Sequence, residues 1–83
     1  LITIYGTSVC PFCTRAKNLV KRYDLQHEFK NIEYQAFRDE LDAKGITYST
    51  VPQIWWDDRY IGGYTELTAE IENTVGGYGD GKL

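Results

Sequence analysis

Apolar and polar residues alternate along LITIY (1–5), a run rich in β-branched side chains, and this predicts a first strand. The period then changes. Ala16, Leu19, Val20 and Tyr23 fall at i, i+3, i+4 and i+7, with Arg15, Lys17, Asn18, Lys21 and Arg22 between them. That pattern predicts an amphipathic helix over 11–23, entered from a loop at 6–10, with Pro11 at the first helical position, where a missing N–H costs nothing. HEFKNIE (27–33) predicts a second strand with Phe29 turned to the core. Tyr34, Phe37 and Leu41 return to helical spacing among Arg38, Asp39, Glu40 and Asp42, and Gly45 supplies a stop.

VPQIWW (51–56) and RYIG (59–62) predict two strands joined at Asp57-Asp58 as a hairpin, which Gly62-Gly63 ends. Trp55 and Trp56 are adjacent on an extended run and so point to opposite faces. Thr65 is placed to cap a last helix that buries Leu67, Ile71 and Val75, and GGYGDGKL (76–83) reads as a flexible tail. The order is β-α-β-α-β-β-α. A βαβ unit crosses into parallel strands and a hairpin adds antiparallel ones, so the expectation is an α/β chain: a small four-stranded mixed sheet with helices on both faces. At 83 residues it suits a single domain, 1–83.

Composition narrows the function classes. Apolar residues make up 42% of the chain, enough for a core, and 12 acidic against 9 basic residues leave a net charge of −3. That balance argues against binding a phosphate backbone, so no nucleic-acid partner is expected. No apolar run approaches the roughly 20 residues of a membrane span, and the start of the chain has no charged region followed by a cleavage site. A cytoplasmic protein with no membrane partner is expected.

The chemistry concentrates in SVCPFCTRAK (8–17), which holds both cysteines. Three roles are open to them. As a staple, a bridge between Cys10 and Cys13 closes a loop so short that chain entropy gives only roughly 2 kcal/mol. As a metal site, C-x-x-C is half a zinc set, but no second pair follows and the sole histidine, His27, lies in a predicted strand; only a cluster shared between two chains remains.

As a reactive pair, the two fit the local physics. With Pro11 as first helical residue, Cys10 is the N-cap, and its sulfur faces the unpaired N–H groups and the positive end of the helix dipole, which favour thiolate. Cys13 stands at the third helical position, from which a side chain reaches back to the cap. Cys10 is then the exposed thiol and Cys13 the shielded one. A more acidic thiol is more ionised but intrinsically less nucleophilic; the two effects roughly cancel, and the gain that remains is a better leaving group in exchange.

With this motif in this order of elements, the chain resembles the dithiol glutaredoxins of the thioredoxin superfamily. CPFCTRAK (10–17) and TVPQIWWDDRYIGGYTEL (50–67) carry the resemblance over roughly residues 1–75. The resemblance implies a thioredoxin-like fold and a glutathione-dependent thiol–disulfide oxidoreductase, with Cys10 as attacking thiol and Cys13 as resolving thiol. Glutathione is implied as co-substrate, with no metal.

It further implies a glutathione groove. Val51 precedes a Pro52 that is cis in this family, and its backbone pairs with the cysteinyl unit of glutathione; Thr50 lines the approach. Gly62 and Gly63 let the backbone come close, and Thr65 and Glu66 offer N–H groups to the γ-glutamyl carboxylate at a helix start. The rings of Tyr5, Phe12 and Tyr64 are expected to flank the groove beside Pro11.

Two positions depart from the family pattern. Thr7 stands where a basic residue is usual, leaving Arg38 to supply that charge, and Glu66 stands where Asp is common. Disulfide-containing or glutathionylated proteins, ribonucleotide reductase among them, are the implied partners of a monomeric chain. Reduction by thioredoxin reductase, or an iron–sulfur cluster held by two chains through Cys10 and glutathione, are the alternatives.

Overall fold

The computed structural model describes residues 1–74. Strand β1 (Ile2–Gly6) leads to helix α1 (Pro11–Arg22), strand β2 (His27–Asn31), helix α2 (Gln35–Asp42), the hairpin β3 (Gln53–Trp56) and β4 (Arg59–Gly62), and helix α3 (Tyr64–Thr74). The strands lie in the order β2-β1-β3-β4. β1 pairs parallel with β2, as a helical crossover requires, and antiparallel with β3. The expected four-stranded mixed sheet is the one present.

Alternation along the strands divides the interior into two cores. Ile2, Ile4 and Ile54 face α1 and α3, meeting Ala16, Leu19 and Val20 from the first and Leu67 and Ile71 from the second. Tyr5 and Trp55 face the other way and pack with Ile32 and with Leu41 of α2. Trp56 packs against the first core, so the two tryptophans do take opposite faces.

Several boundaries differ from expectation for local reasons. β2 ends at Asn31 rather than at 33 because the Asn31 side chain accepts the Glu33 N–H at 2.9 Å and turns the chain there. Tyr34 is the N-cap residue of α2, 65% exposed, and not part of its apolar face; it meets only the edge of Phe37. β3 starts at Gln53, since Pro52 has no N–H for the ladder and its bond to Val51 is cis. α1 stops at Arg22, with Tyr23 as its cap residue. Thr65 is not the N-cap of α3. The helix begins at Tyr64, Leu67 N–H bonds to the Gly63 carbonyl at 3.0 Å, and Glu66 reaches back to accept the Gly63 N–H at 2.9 Å. Glycine caps about as well as threonine, and the acid three positions later completes half a capping box. Val75 and the 76–83 tail lie outside the described residues.

Candidate active site

The loop after β1 carries the chain from the sheet to the start of α1 and leaves Cys10 as the N-cap residue. Its φ of −95° and ψ of 115° are those of an extended cap, and its carbonyl accepts the Thr14 N–H at 3.1 Å. The Cys13 N–H donates to Cys10 Sγ at 3.1 Å, the bond an N-cap side chain makes with the third helical residue. As a thiol, Cys10 can also donate to the Val51 carbonyl, 3.5 Å away. Half-buried, this sulfur lies beside the segment that precedes Pro52.

Cys13 differs in every respect. It is 0% exposed. Burial first, and then a hydrogen bond with Cys10, pushes its thiol up to about 12, while a hydrogen bond with the Thr7 backbone and the charge of Lys17 pull the other way. Its sulfur rests on Gly6, where a Cβ would stand 2.4 Å from Sγ. Gly6 is a site residue that the reading of the sequence did not single out. The only available signal was its position at the end of a β-branched strand, four residues before Cys10.

The loop 7–10, one residue shorter than expected because Gly6 belongs to β1, is fastened from outside. Ser8 Oγ donates to Glu33 at 3.0 Å, and Asn31 Nδ2 donates to the same oxygen. Those two bonds hold the Glu33 carboxyl below its usual range. Neither Ser8 nor Glu33 stood out in the sequence, because the contact joins segments far apart in the chain.

Beside Cys10 lies a cleft of about 290 Å³, close to the lower end of the roughly 300–1,000 Å³ typical of small-ligand sites. Thr50, Val51 and Pro52 form one wall; Gly63, Tyr64, Thr65 and Glu66 form the other; Phe12 reaches in from α1. The Val51-Pro52 bond is cis. Phe12 is 48% exposed, its ring centroid 6.0 Å from that of Tyr64, with the Arg15 guanidinium 4.9 Å above it. Thr65 and Glu66 occupy the second and third helical positions of α3, whose N–H groups have no partner within the helix. Gly62 has φ +118°, a backbone conformation that favours glycine, and a Cβ there would crowd the Glu66 side chain at 3.1 Å.

Of the anticipated residues, Tyr5, Pro11, Gly62 and Arg38 are not among the cleft walls; Pro11 is the first residue of α1, next to Cys10. Tyr5 is buried on the α2 side, where its hydroxyl donates to Glu40 and its ring meets Trp55 edge-on at 5.6 Å. Burial and the neighbouring carboxylate raise its pKa. Alternation places it on the face opposite Ile4, under the sheet and not beside the thiols. Arg38 commits its Nε–H to the Ile32 carbonyl at 3.1 Å and is absent from the cleft walls. Among the described residues no three His, Cys, Asp or Glu side chains gather as a metal-holding group, and no helix is long and apolar enough to cross a membrane.

One polar side chain supports the cleft from below. Gln53 is 6% exposed; its Nε2 donates to the Thr50 carbonyl at 2.9 Å and its Oε1 accepts from the Tyr60 hydroxyl at 2.5 Å. It ties the Thr50–Pro52 wall to β4.

Comparison with known proteins gives a consistent set of likenesses. The family model described as Glutaredoxin matches residues 2–61. Glutaredoxin 1 of Escherichia coli is 37% identical over 79 residues, which cover 87% of this chain and 93% of that protein. The solved structure of reduced E. coli glutaredoxin superposes with a TM-score of 0.74 at 35% identity, covering 90% of this chain and 96% of that one. A buckwheat glutaredoxin–glutathione complex shares the fold with a TM-score of 0.73 at 17% identity, over 87% of this chain and 68% of that one.

Proposed function

The chain belongs to the glutaredoxin family of thiol–disulfide oxidoreductases, and we propose that it draws its electrons from glutathione held in the cleft beside Cys10. The observation that carries this reading is the placement of two unlike sulfurs. Cys10 Sγ is half-buried at a helix N-cap, accepts the Cys13 N–H at 3.1 Å and stands 3.5 Å from the carbonyl of Val51, a residue of the cleft wall, while Cys13 is buried.

In the proposed cycle the Cys10 thiolate attacks a protein disulfide. A Cys10–substrate disulfide forms and the other substrate sulfur leaves as thiolate. Cys13, deprotonated only as it attacks, closes on Cys10 and releases the second substrate thiol. One glutathione opens the Cys10–Cys13 disulfide, leaving glutathione on Cys10, and a second removes it as glutathione disulfide. A glutathionylated substrate needs Cys10 alone. Val51 binds the cysteinyl unit along its backbone, Thr50 lines the approach, and the N–H groups of Thr65 and Glu66 receive the γ-glutamyl carboxylate. Pro52, Gly63, Tyr64 and Phe12 shape the space around the tripeptide. Disulfide-containing and glutathionylated proteins, ribonucleotide reductase among them, are the partners of this reading. The chain acts as a monomer in the reducing, glutathione-rich cytoplasm.

The test separates the two thiols. Cys13→Ser keeps turnover of a small glutathione mixed disulfide and loses at least about tenfold in reduction of an intramolecular protein disulfide. Equal loss of both activities would contradict the division of labour.

A further inference from the structure

The chain carries a net charge of −3, yet its charges are sorted around the cleft. α1 holds Arg15, Lys17, Lys21 and Arg22 and no acidic residue. α3 holds Glu66, Glu70 and Glu72 and no basic one. The two helices pack together on the same face of the sheet, and Phe12 of α1 and the first turn of α3 both line the cleft. Cys10 therefore stands at a seam between a cationic helix and an anionic one.

The cations of α1 are also unspent. Lys30 pairs with Glu28 and Glu40, and Arg59 with Glu70, but among the described residues no ion pair engages Arg15, Lys17, Lys21 or Arg22. The helix dipole accounts for Lys21 and Arg22 in the last turn. It does not account for Arg15 and Lys17, which lie nearer the other end, over the rings of Phe12 and Phe29. Beside them the apolar collar of Cys10 is open, with Val9 81% and Phe12 48% exposed.

We propose that α1 is a docking surface for disulfide-bearing protein segments rich in acidic side chains. Such a segment lies along α1 and delivers its sulfur to Cys10, and the Glu66 and Glu72 carboxylates of α3, which no ion pair engages among the described residues, disfavour the same segment laid the other way. A helix of 12 residues is about 18 Å long, the reach of roughly five or six extended residues. By helical spacing Arg15 and Arg22 fall along one edge of its outer face and Lys17 and Lys21 along the other, so a short acidic stretch on that face runs between the two pairs. The chemistry is the exchange already described: the Cys10–substrate bond forms, the substrate S–S bond breaks, and the leaving sulfur keeps the electron pair. The inference rests on the oxidoreductase reading and adds to it a choice among protein substrates.

Three synthetic peptides with the same intramolecular disulfide and Glu, Gln or Lys flanks provide the test. Each rate with the full chain is divided by its rate with dithiothreitol, which removes the intrinsic effect of the flanks on the disulfide. At low ionic strength the Glu-flanked peptide is reduced about tenfold faster than the Lys-flanked one, and the gap closes near 0.5 M salt, where the screening length is only about 4 Å. Lys21→Gln with Arg22→Gln, remote from the thiols, lowers the Glu-peptide rate about threefold and leaves turnover of a small glutathione mixed disulfide unchanged. Equal rates for the three peptides at low salt overturn the inference, as does an acidic preference that the double variant retains undiminished. Failure of the wild-type chain to turn over the small mixed disulfide instead removes the oxidoreductase reading, and this inference with it.

Discussion

Against α1 and α3 the sheet presents Ile2, Ile4 and Ile54 to Ala16, Leu19, Val20, Leu67 and Ile71, side chains without a polar atom. Against α2 it presents Tyr5 and Trp55, and polar bonds run through that layer: Tyr5 and Lys30 to Glu40, Tyr60 to Gln53, Gln53 to Thr50. The cleft takes one wall from each side. Tyr64–Glu66 begin the helix that buries Leu67 and Ile71, whereas Val51 packs with the Tyr5–Trp55 core and Thr50 hangs from Gln53. The aliphatic side thus carries global stability, and the aromatic, hydrogen-bonded side places the backbone that meets a ligand. Non-directional burial suits the first task and directional bonds the second.

Three substitutions test that division. The largest effect is expected from Ile54→Ala, which opens a cavity in the aliphatic core. It costs about 2–5 kcal/mol in urea unfolding and leaves the glutathione KM of the folded protein little changed. A large rise in KM there would merge the two roles. Gln53→Leu strands the Thr50 carbonyl and the Tyr60 hydroxyl and costs about 1–3 kcal/mol. Steady-state kinetics should show the glutathione KM raised several-fold with kcat less affected; a fall in kcat at constant KM breaks the comparison.

The smallest effect belongs to Glu40. Its carboxyl is held below the usual range by hydrogen bonds from Lys30 and Tyr5, so the folded state binds this proton more weakly than the unfolded state. Its stabilisation is complete above the ordinary Glu value near ~4.3 and disappears as pH falls through the lowered one. Because Glu40 is part-exposed, the contribution is under about 1 kcal/mol. The stability difference between wild type and Glu40→Gln should therefore narrow between ~pH 6 and ~pH 3. A difference constant with pH assigns no role to that charge.

Among the described residues, periodicity together with strand-forming composition and turn residues was enough to locate the strands and helices and their order; Ile2-Ile4 and Ala16-Leu19-Val20 each repeat with the period of their element. It misjudged positions where a single side chain sets a boundary. The Asn31 amide ended β2, and Glu66 made Gly63 the cap that Thr65 was expected to be. The placement of Cys10 at the N-cap and the shielding of Cys13 were legible because both follow from three-residue helical spacing. The residues around the cleft were legible through TVPQI and GGYTEL, which the family resemblance made readable. Gly6, Gln53 and the Ser8–Glu33 bond were not, since each acts on a partner distant in sequence or through the absence of a side chain. Tyr5 and Arg38 were assigned by chemical type, and their backbone positions direct them elsewhere.

The contact between Cys13 and Gly6 has a bearing on how the pair moves. A sulfur seated on bare main chain has little room to retreat inward, since what lies beneath it is the end of β1, paired there with Asn31 of β2. When the two thiols join or part, the travel falls to the outer one at the helix tip. The inner sulfur serves as a fixed anvil, and the aliphatic interior can stay still through each turnover.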